Sequence, residues 1–427
     1  MMTWRRTLLL SSSALLLVPA AALAQTETVR LLGEVRVRGE AERPAVTDTA
    51  DAFTLLRSRL GIEATLSPRA VVLLQVQDAR AFGEGGGTMD GSAERLDMHQ
   101  AWLQYRVEAG MYRAVFRVGR QEIALGNERL VGAVGWSNTG RAFDGARVAA
   151  GTATGDWRLH GFAATVQERG RRISGAQQDR GDHLFVGGYL ESTPLDVFLL
   201  HDREDAYRSF TGVDRSTLGA RLASPVLGVL MPSVEGAYQI GNQVWAGGVQ
   251  PMSQDIRAYM VGARLGYLTP LPILNRAGVG LDLLSGDADP ADDTYRAFNT
   301  LYATNHRFYG YIDLFLEPAA RTRDRGLIDG IASARLALTR DLALDIDGHG
   351  FWLHREFAGS SDRHLGWELD LTLPVQLGAN QQLQLGYSAF RNGPAAPLIG
   401  LGRERAVWHW AHVQATFSFG GRAAPIL

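Results

Sequence analysis

The side chains best equipped for chemistry in this sequence are its arginines. All 43 basic residues are arginine and none is lysine, so every fixed positive charge is a planar fork able to hold a carboxylate by two hydrogen bonds. Base composition accounts for the missing lysine as readily as function does, and the physical consequence is the same. Their spacing says more than their number. Arg30, Arg36 and Arg38 alternate with apolar neighbours, as do Arg57 and Arg59, and Glu34 and Glu63 share that polar parity. Arg106, Arg117, Arg147, Arg158, Arg221, Arg264 and Arg335 hold the same parity in later segments, with Glu235, Asp282, Asp345, Asp347, Glu368 and Asp370 among the acids. The early and middle segments contribute mostly arginine to this face, and the late ones mostly carboxylate. Arginines ringing a pore select anions, because a charge crossing a low-dielectric wall needs fixed compensation. A ladder of them suits a polymer with one carboxylate per sugar. For any single residue, an ion-pair network filling the interior is an equally open reading.

Other chemistry is thinly represented. The sequence contains no H-E-x-x-H, no G-x-S-x-G, no phosphate-cradling Gly-Lys loop and no dinucleotide glycine pattern. Asp345, Asp347 and Glu368 resemble a catalytic carboxylate set, but as alternating residues they read better as pore lining than as a hydrolase. Gly85-Gly86-Gly87 reads as a flexible loop. Asp287, Asp289, Asp292 and Asp293 crowd one loop and offer hard oxygen ligands to Ca²⁺, with a solvated acidic loop as the plainer reading. Otherwise no cofactor is expected, and no enzyme. There is no cysteine, which removes thiolate metal sites and nucleophiles, and the formal net charge of −2 gives no basic excess pointing to nucleic acid.

The elements that must position these residues have a period of two. In the last segment Ala411, Val413, Ala415, Phe417 and Phe419 alternate with His412, Gln414, Thr416 and Ser418. About eighteen such segments recur, most around ten residues long, the length a tilted strand needs to cross a bilayer. Links alternate between tight turns, as at Leu66-Ser67-Pro68-Arg69 and Thr339-Arg340-Asp341, and long loops at 81–96, 122–142, 168–181, 242–254 and 285–325. This predicts an all-β fold: a transmembrane outer-membrane β-barrel of antiparallel strands, with short periplasmic turns and long extracellular loops. Aromatics near strand ends (Trp102, Tyr105, Tyr238, Tyr259, Tyr267, Trp352, Trp367, Tyr387, Trp408 and Trp410) are candidates for the interfacial girdles. Arg5-Arg6, the apolar run from Leu8 to Val18 and Ala22-Leu23-Ala24 have the layout of a secretory signal peptide, 1–24, with the mature chain starting at Gln25. Residues 25–427 are then one barrel domain, with 420–427 a mobile periplasmic tail.

Several dense motifs resemble the bacterial alginate export porin family. They are Gln75-Val76-Gln77-Asp78-Ala79-Arg80-Ala81-Phe82-Gly83, Leu96-Asp97-Met98-His99-Gln100-Ala101-Trp102-Leu103, and Val118-Gly119-Arg120-Gln121-Glu122 continuing through Gly126-Asn127-Glu128-Arg129-Leu130-Val131-Gly132. Trp136-Ser137-Asn138, Arg141-Ala142-Phe143-Asp144-Gly145-Ala146-Arg147, Leu284-Ser285-Gly286-Asp287 and Tyr309-Gly310-Tyr311-Ile312-Asp313 extend them. The resemblance implies a monomeric eighteen-stranded barrel exporting an acidic exopolysaccharide. It implies as partners that polysaccharide, outer-membrane lipid and lipopolysaccharide, and periplasmic proteins of an export complex. It makes Arg120, Arg129 and Arg147 first candidates for the polyuronate path, with Glu122, Glu128 and Asp144 as charge partners. Arg120 falls on the apolar parity with Phe116 and Val118, so it must sit past the lipid or follow a bulge. The 119–147 block is either a structural plug or a gate. A general or small-anion uptake porin shares every feature except the polymer.

Overall fold

A computed structural model describes residues 28–47, 49–83, 96–167, 183–205, 212–223, 228–245, 252–339 and 342–426. The signal-peptide assignment, Gly85-Gly86-Gly87, Arg340, Asp341, most of loop 81–96, all of loop 168–181 and residues 246–251 of loop 242–254 lie outside them.

Eighteen antiparallel strands close into one barrel. They are β1 Thr28–Arg43, β2 Asp51–Ser67, β3 Ala70–Phe82, β4 Asp97–Ala109, β5 Tyr112–Gln121, β6 Phe143–Thr152, β7 Trp157–Gln167, β8 His183–Ser192 and β9 Leu195–Glu204. The circuit continues with β10 Gly212–Ala223, β11 Leu230–Trp245, β12 Met252–Leu268, β13 Leu274–Leu284, β14 Leu327–Ala337, β15 Ala343–Leu353, β16 His364–Gly378, β17 Gln381–Asn392 and β18 Val407–Phe419. Closure runs from Gly33 opposite Phe419 to Arg43 opposite His409, so among the described residues no edge strand is left unpaired. Each strand pairs with its chain neighbour, and at one end of the barrel tight turns such as Pro68-Arg69 and Gly110-Met111 leave no room for a crossover.

The alternation sorts the side chains as anticipated. Val35, Val37, Leu60, Ile62, Phe116, Val118, Leu218, Ile240, Val279, Leu281 and Val413 stand exposed on the outer wall. In water this would be an apolar surface far beyond the few hundred Å² a soluble protein tolerates; against lipid it is the transmembrane belt. Tyr105, Tyr238, Tyr259, Tyr267, Trp367 and Tyr387 are exposed with it. Trp102, Trp408 and Trp410 are corrections to the girdle. Trp102 and Trp410 are buried on the inner face, and Trp408 donates its indole N–H to the Leu401 carbonyl in the link between Asn392 and Val407. An aromatic near a strand end gives no parity unless its neighbours alternate clearly.

The interior is not a polar channel throughout. Near the long-loop end, inward Phe143, Phe162, Phe185, Tyr189, Phe198 and Leu200 receive Ile123, Leu125, Leu130 and Val131 of the 122–142 loop. Opposite, Leu327, Phe351, Leu353, Leu365 and Phe390 receive Phe298, Tyr309, Leu314 and Phe315 of the 285–326 loop. Each such side chain, fully buried, contributes about 1.5–3 kcal/mol, so both loops belong inside the barrel. They are knitted together by a parallel bridge, Val131 to Tyr302, and by Gly132 and Thr304 N–H groups donating across it. Two further expectations are corrected. The 242–254 loop is shorter than drawn, since β11 runs to Trp245 and β12 restarts at Met252. The 420–426 segment is not a free tail; it folds back into the lumen.

Candidate functional site

The inward arginines divide by what they hold. Arg36, Arg38, Arg57 and Arg59 project from β1 and β2 onto the 122–142 loop. Arg36 donates to the Gly135 and Ser137 carbonyls, both at 2.8 Å, and Arg57 to the same two at 3.1 and 3.0 Å. Arg38 donates to the Trp136 carbonyl at 2.8 Å and lies 3.9 Å over its ring, while Arg59 reaches the Thr139 carbonyl at 3.3 Å. Only part of their charge is met by acids: Glu34 for Arg57 at 2.6 Å, Glu40 for Arg38 at 2.6 Å, and Glu122 for Arg59 at 3.3 Å. Here the arginine fork serves as a latch on backbone oxygens.

Glu122 starts that loop. A bulge in β4 opposite Gln75/Val76 turns both His99 and Gln100 inward, and His99 meets Glu122 at 2.7 Å. Burial alone would raise the Glu122 carboxyl; the His99 hydrogen bond and the Arg59 charge outweigh it and hold the group below its ordinary value.

Arg129 anchors the other end. It is 4% exposed and reaches across the lumen to Asp282 on β13 at 2.9 Å and Glu235 on β11 at 3.2 Å, with the Tyr309 hydroxyl at 3.5 Å. Burial opposes its charge, but Asp282, Tyr309 and Glu235 overcome that and raise its affinity for the proton. Asn127 also donates to Glu235 at 2.8 Å. Glu128 accepts from the Thr304 hydroxyl at 2.6 Å and pairs with Arg307 at 3.0 Å, joining the two loops. Arg264 shares Asp282 at 2.6 Å, Arg221 holds Asp196 at 3.0 Å, and Arg335 holds Asp345 at 2.9 Å. Glu368 accepts the Ile312 N–H of the long loop at 2.9 Å, and Asp370 lies 3.9 Å from His349.

A third set lines open space. Arg117 and Arg147 are 7% exposed and make no ion pair among the described residues. Arg117 is stacked 4.0 Å over Trp102 and donates to Gln104 and to a main-chain carbonyl; Arg147 meets only the ring nitrogen of His160, at 3.1 Å. With Arg59, Arg158 and Arg422 they border a cavity of about 830 Å³, faced by Glu34, Glu122 and Glu191, five arginines to three carboxylates. A second cavity of about 360 Å³ has Arg129, Arg221, Arg264, Arg276 and Arg307 against Glu235 and Asp347. In the first cavity arginines outnumber the carboxylates that face them, whereas in the second Arg129, Arg221, Arg264 and Arg307 are each already paired with an acid.

Some expected members are elsewhere. Arg120 points off the outer wall at the end of β5, paired with Asp144 at 2.8 Å and Asp97 at 3.7 Å, so neither Arg120 nor Asp144 is on the lumen path. Register through Gly119 is unbroken, so parity carries Arg120 outward with Phe116 and Val118. Arg106 faces inward with its Nε unpartnered. The aspartates of the acidic loop do not converge. Asp287 and Asp289 accept backbone N–H groups two residues on, Asp292 holds Arg296 at 2.8 Å, and no metal-binding cluster of three or more such side chains occurs among the described residues. Arg215, which meets Asp202 at 3.8 Å, joins the inward set and shares the parity of Arg221 in the sequence. Trp136, stacked on His306 at 4.3 Å, had no sequence signal beyond its motif.

A family model described as alginate export matches residues 29–397. Among solved structures, Pseudomonas aeruginosa OccK2 (OpdF) is similar at 13% identity and a TM-score of 0.59, covering 92% of this chain and 98% of that one. Acinetobacter baumannii OccAB1 is similar at 10% identity and 0.58, covering 92% and 98%. Pseudomonas aeruginosa OccK2 in complex with glucuronate is similar at 12% and 0.58, covering 92% and 99%. At such identities the likeness is one of fold. No curated protein matches the chain.

Proposed function

Because the chain belongs to the alginate export family, we propose that it carries an acidic polysaccharide, an alginate-like polyuronate, outward across the bacterial outer membrane. Family and porin fold together make it a channel. The observation that carries the finer reading is the pair Arg117 and Arg147: buried cations facing the larger cavity with no carboxylate of their own. A buried charge without a partner is costly, and natural interiors avoid it unless something else supplies the counter-charge. A passing uronate does so, and the sharing of Arg59 and Arg158 with nearby glutamates keeps each contact weak enough to release.

The test is ion selectivity and block in a planar bilayer. Wild-type protein should pass anions preferentially and be blocked by oligouronate, and Arg117→Glu with Arg147→Glu should abolish the block and reverse the selectivity. An unchanged reversal potential in that variant refutes the assignment. A second reading, uptake of a small anion or sugar acid, is favoured by the size of the cavities beside the inserted loops, about 830 and 360 Å³, which suits short saccharides. One Occ relative was solved with glucuronate. Block by monomeric glucuronate equal to that by the oligomer would favour this second reading.

A further inference from the structure

The chain does not leave the barrel after β18. Gly420 and Gly421 sit at φ 74° and 78°, and a Cβ at Gly420 would collide with the Leu31 carbonyl. Only glycine makes that turn without strain. It sends residues 422–426 back through the short-turn mouth into the lumen. There the Ala424 N–H donates to Glu63 at 2.6 Å, and the Ala424 carbonyl accepts from Arg117 at 2.7 Å. The Arg422 carbonyl accepts from Arg30 at 3.3 Å. Ala423 and Ala424 pack against Leu32, Leu73 and Trp102, and Ile426 covers Val115 and Ala149. The segment also borders the cavity that holds Arg117, Arg147 and Arg158.

We propose that residues 420–426 are a built-in plug of the anion path's periplasmic mouth, seated on Arg117 and displaced when an anionic ligand takes that arginine. The proposal rests on reading Arg117 and Arg147 as the polyuronate path. Two features make the plug removable. It offers Arg117 a neutral carbonyl, a weaker acceptor than a carboxylate. Among the described residues no backbone–backbone hydrogen bond ties it to the strand ladder, and its apolar grip is two alanines and one isoleucine. The Glu63 contact sets its register, since Glu63 is itself held by Arg30.

The absence of native cysteine permits a single-thiol test. Ala149 is fully buried beneath Ile426, so the thiol of Ala149→Cys reports whether the plug is seated. Its labelling by an anionic thiol reagent is to be compared in the full chain, in the chain cut after Phe419, and in the full chain carrying Ile426→Asp. The last keeps every strand and guards against an assembly defect, which heat-modifiable gel mobility would reveal. With the plug seated in about nine of ten molecules, labelling should rise about tenfold in both variants. Equal labelling in all three folded barrels overturns the plug. Oligouronate should then slow labelling of the cut chain by occupying Arg117 and Arg147. Fast labelling with no such protection leaves the plug standing and removes the polyuronate reading.

Discussion

Arg129→Met should release the 122–142 loop from the opposite wall. The side chain it replaces is 4% exposed and is the charge partner of two carboxylates that are themselves 7% and 1% exposed. Removing one member of a buried ion pair costs roughly 3–5 kcal/mol, because the remaining charge stays in low dielectric. Asp282 keeps Arg264 at 2.6 Å, so most of the loss falls on Glu235, which retains the Asn127 amide at 2.8 Å and has Arg221 opposite it on β10. The lower end, about 3 kcal/mol, is therefore the appropriate figure, and it shifts the loop's seated-to-released ratio by about 10²-fold. Methionine preserves most of the stem volume, so the barrel's own ladder should survive, as β-type circular dichroism in detergent would verify. The assay is single-channel recording: the variant should show long openings of higher conductance than wild type. Arg129→Lys, which keeps a charge but loses the fork that spans both acids, should fall between them. A folded Arg129→Met barrel with the wild-type conductance histogram would show that the loop is held by its apolar packing and that the Arg129 cluster does not control the pore.

Three further outcomes follow from the same geometry. Glu122 is held below the ordinary carboxyl value of 4.5, so its latch to His99 and Arg59 is complete above that pH and is lost as pH falls through the depressed value; channel openings should become more frequent below pH 4.5, and Glu122→Gln should flatten the profile. Gly132→Val should wedge the two inserted loops apart, since a Cβ there meets the Thr304 hydroxyl and the Glu128 side chain, costing about 1–3 kcal/mol read as a lower melting temperature together with raised conductance. Chelation should leave the melting curve unchanged, because Asp287 and Asp292 are already met by backbone N–H groups and Arg296; a fall in melting temperature with EDTA, restored by Ca²⁺, would contradict this.

The strands were legible because a bilayer and a lumen impose opposite chemistry on alternate residues, and the pattern survives averaging over ten positions. Leu365, Trp367 and Leu369 show where that legibility ends. Their shared parity in sequence is broken by the bulge at Gly366, φ 153°, which leaves Leu365 fully buried inside and Trp367 exposed outside. The parity of the arginines held better, as for Arg36, Arg57, Arg117 and Arg264, because a charge on the lipid face is expensive and few strands tolerate one. Arg120 shows the limit: at a strand end beyond the lipid, the outward face accepts an Arg–Asp pair, and parity alone cannot say which end of the belt a residue has passed.

What the alternation could not express is the third dimension of the lumen. Phe185, Phe198, Phe351 and Phe390 are inward and fully or nearly fully buried, which a water-filled pore would not allow. They make sense only once the 122–142 and 285–326 loops are placed against them, and a loop's destination has no period. The arginines then acquire a second use. Arg36 and Arg57 donate to the same pair of carbonyls, Gly135 and Ser137, from adjacent strands. A carbonyl is an acceptor that a polyuronate carboxylate outcompetes in strength. The side chains that lock the loop inside are therefore of the kind an entering acidic polymer would engage. Loop release and anion binding then draw on one set of hydrogen bonds, so a ligand that prefers the released state shifts the loop by its differential affinity and no more.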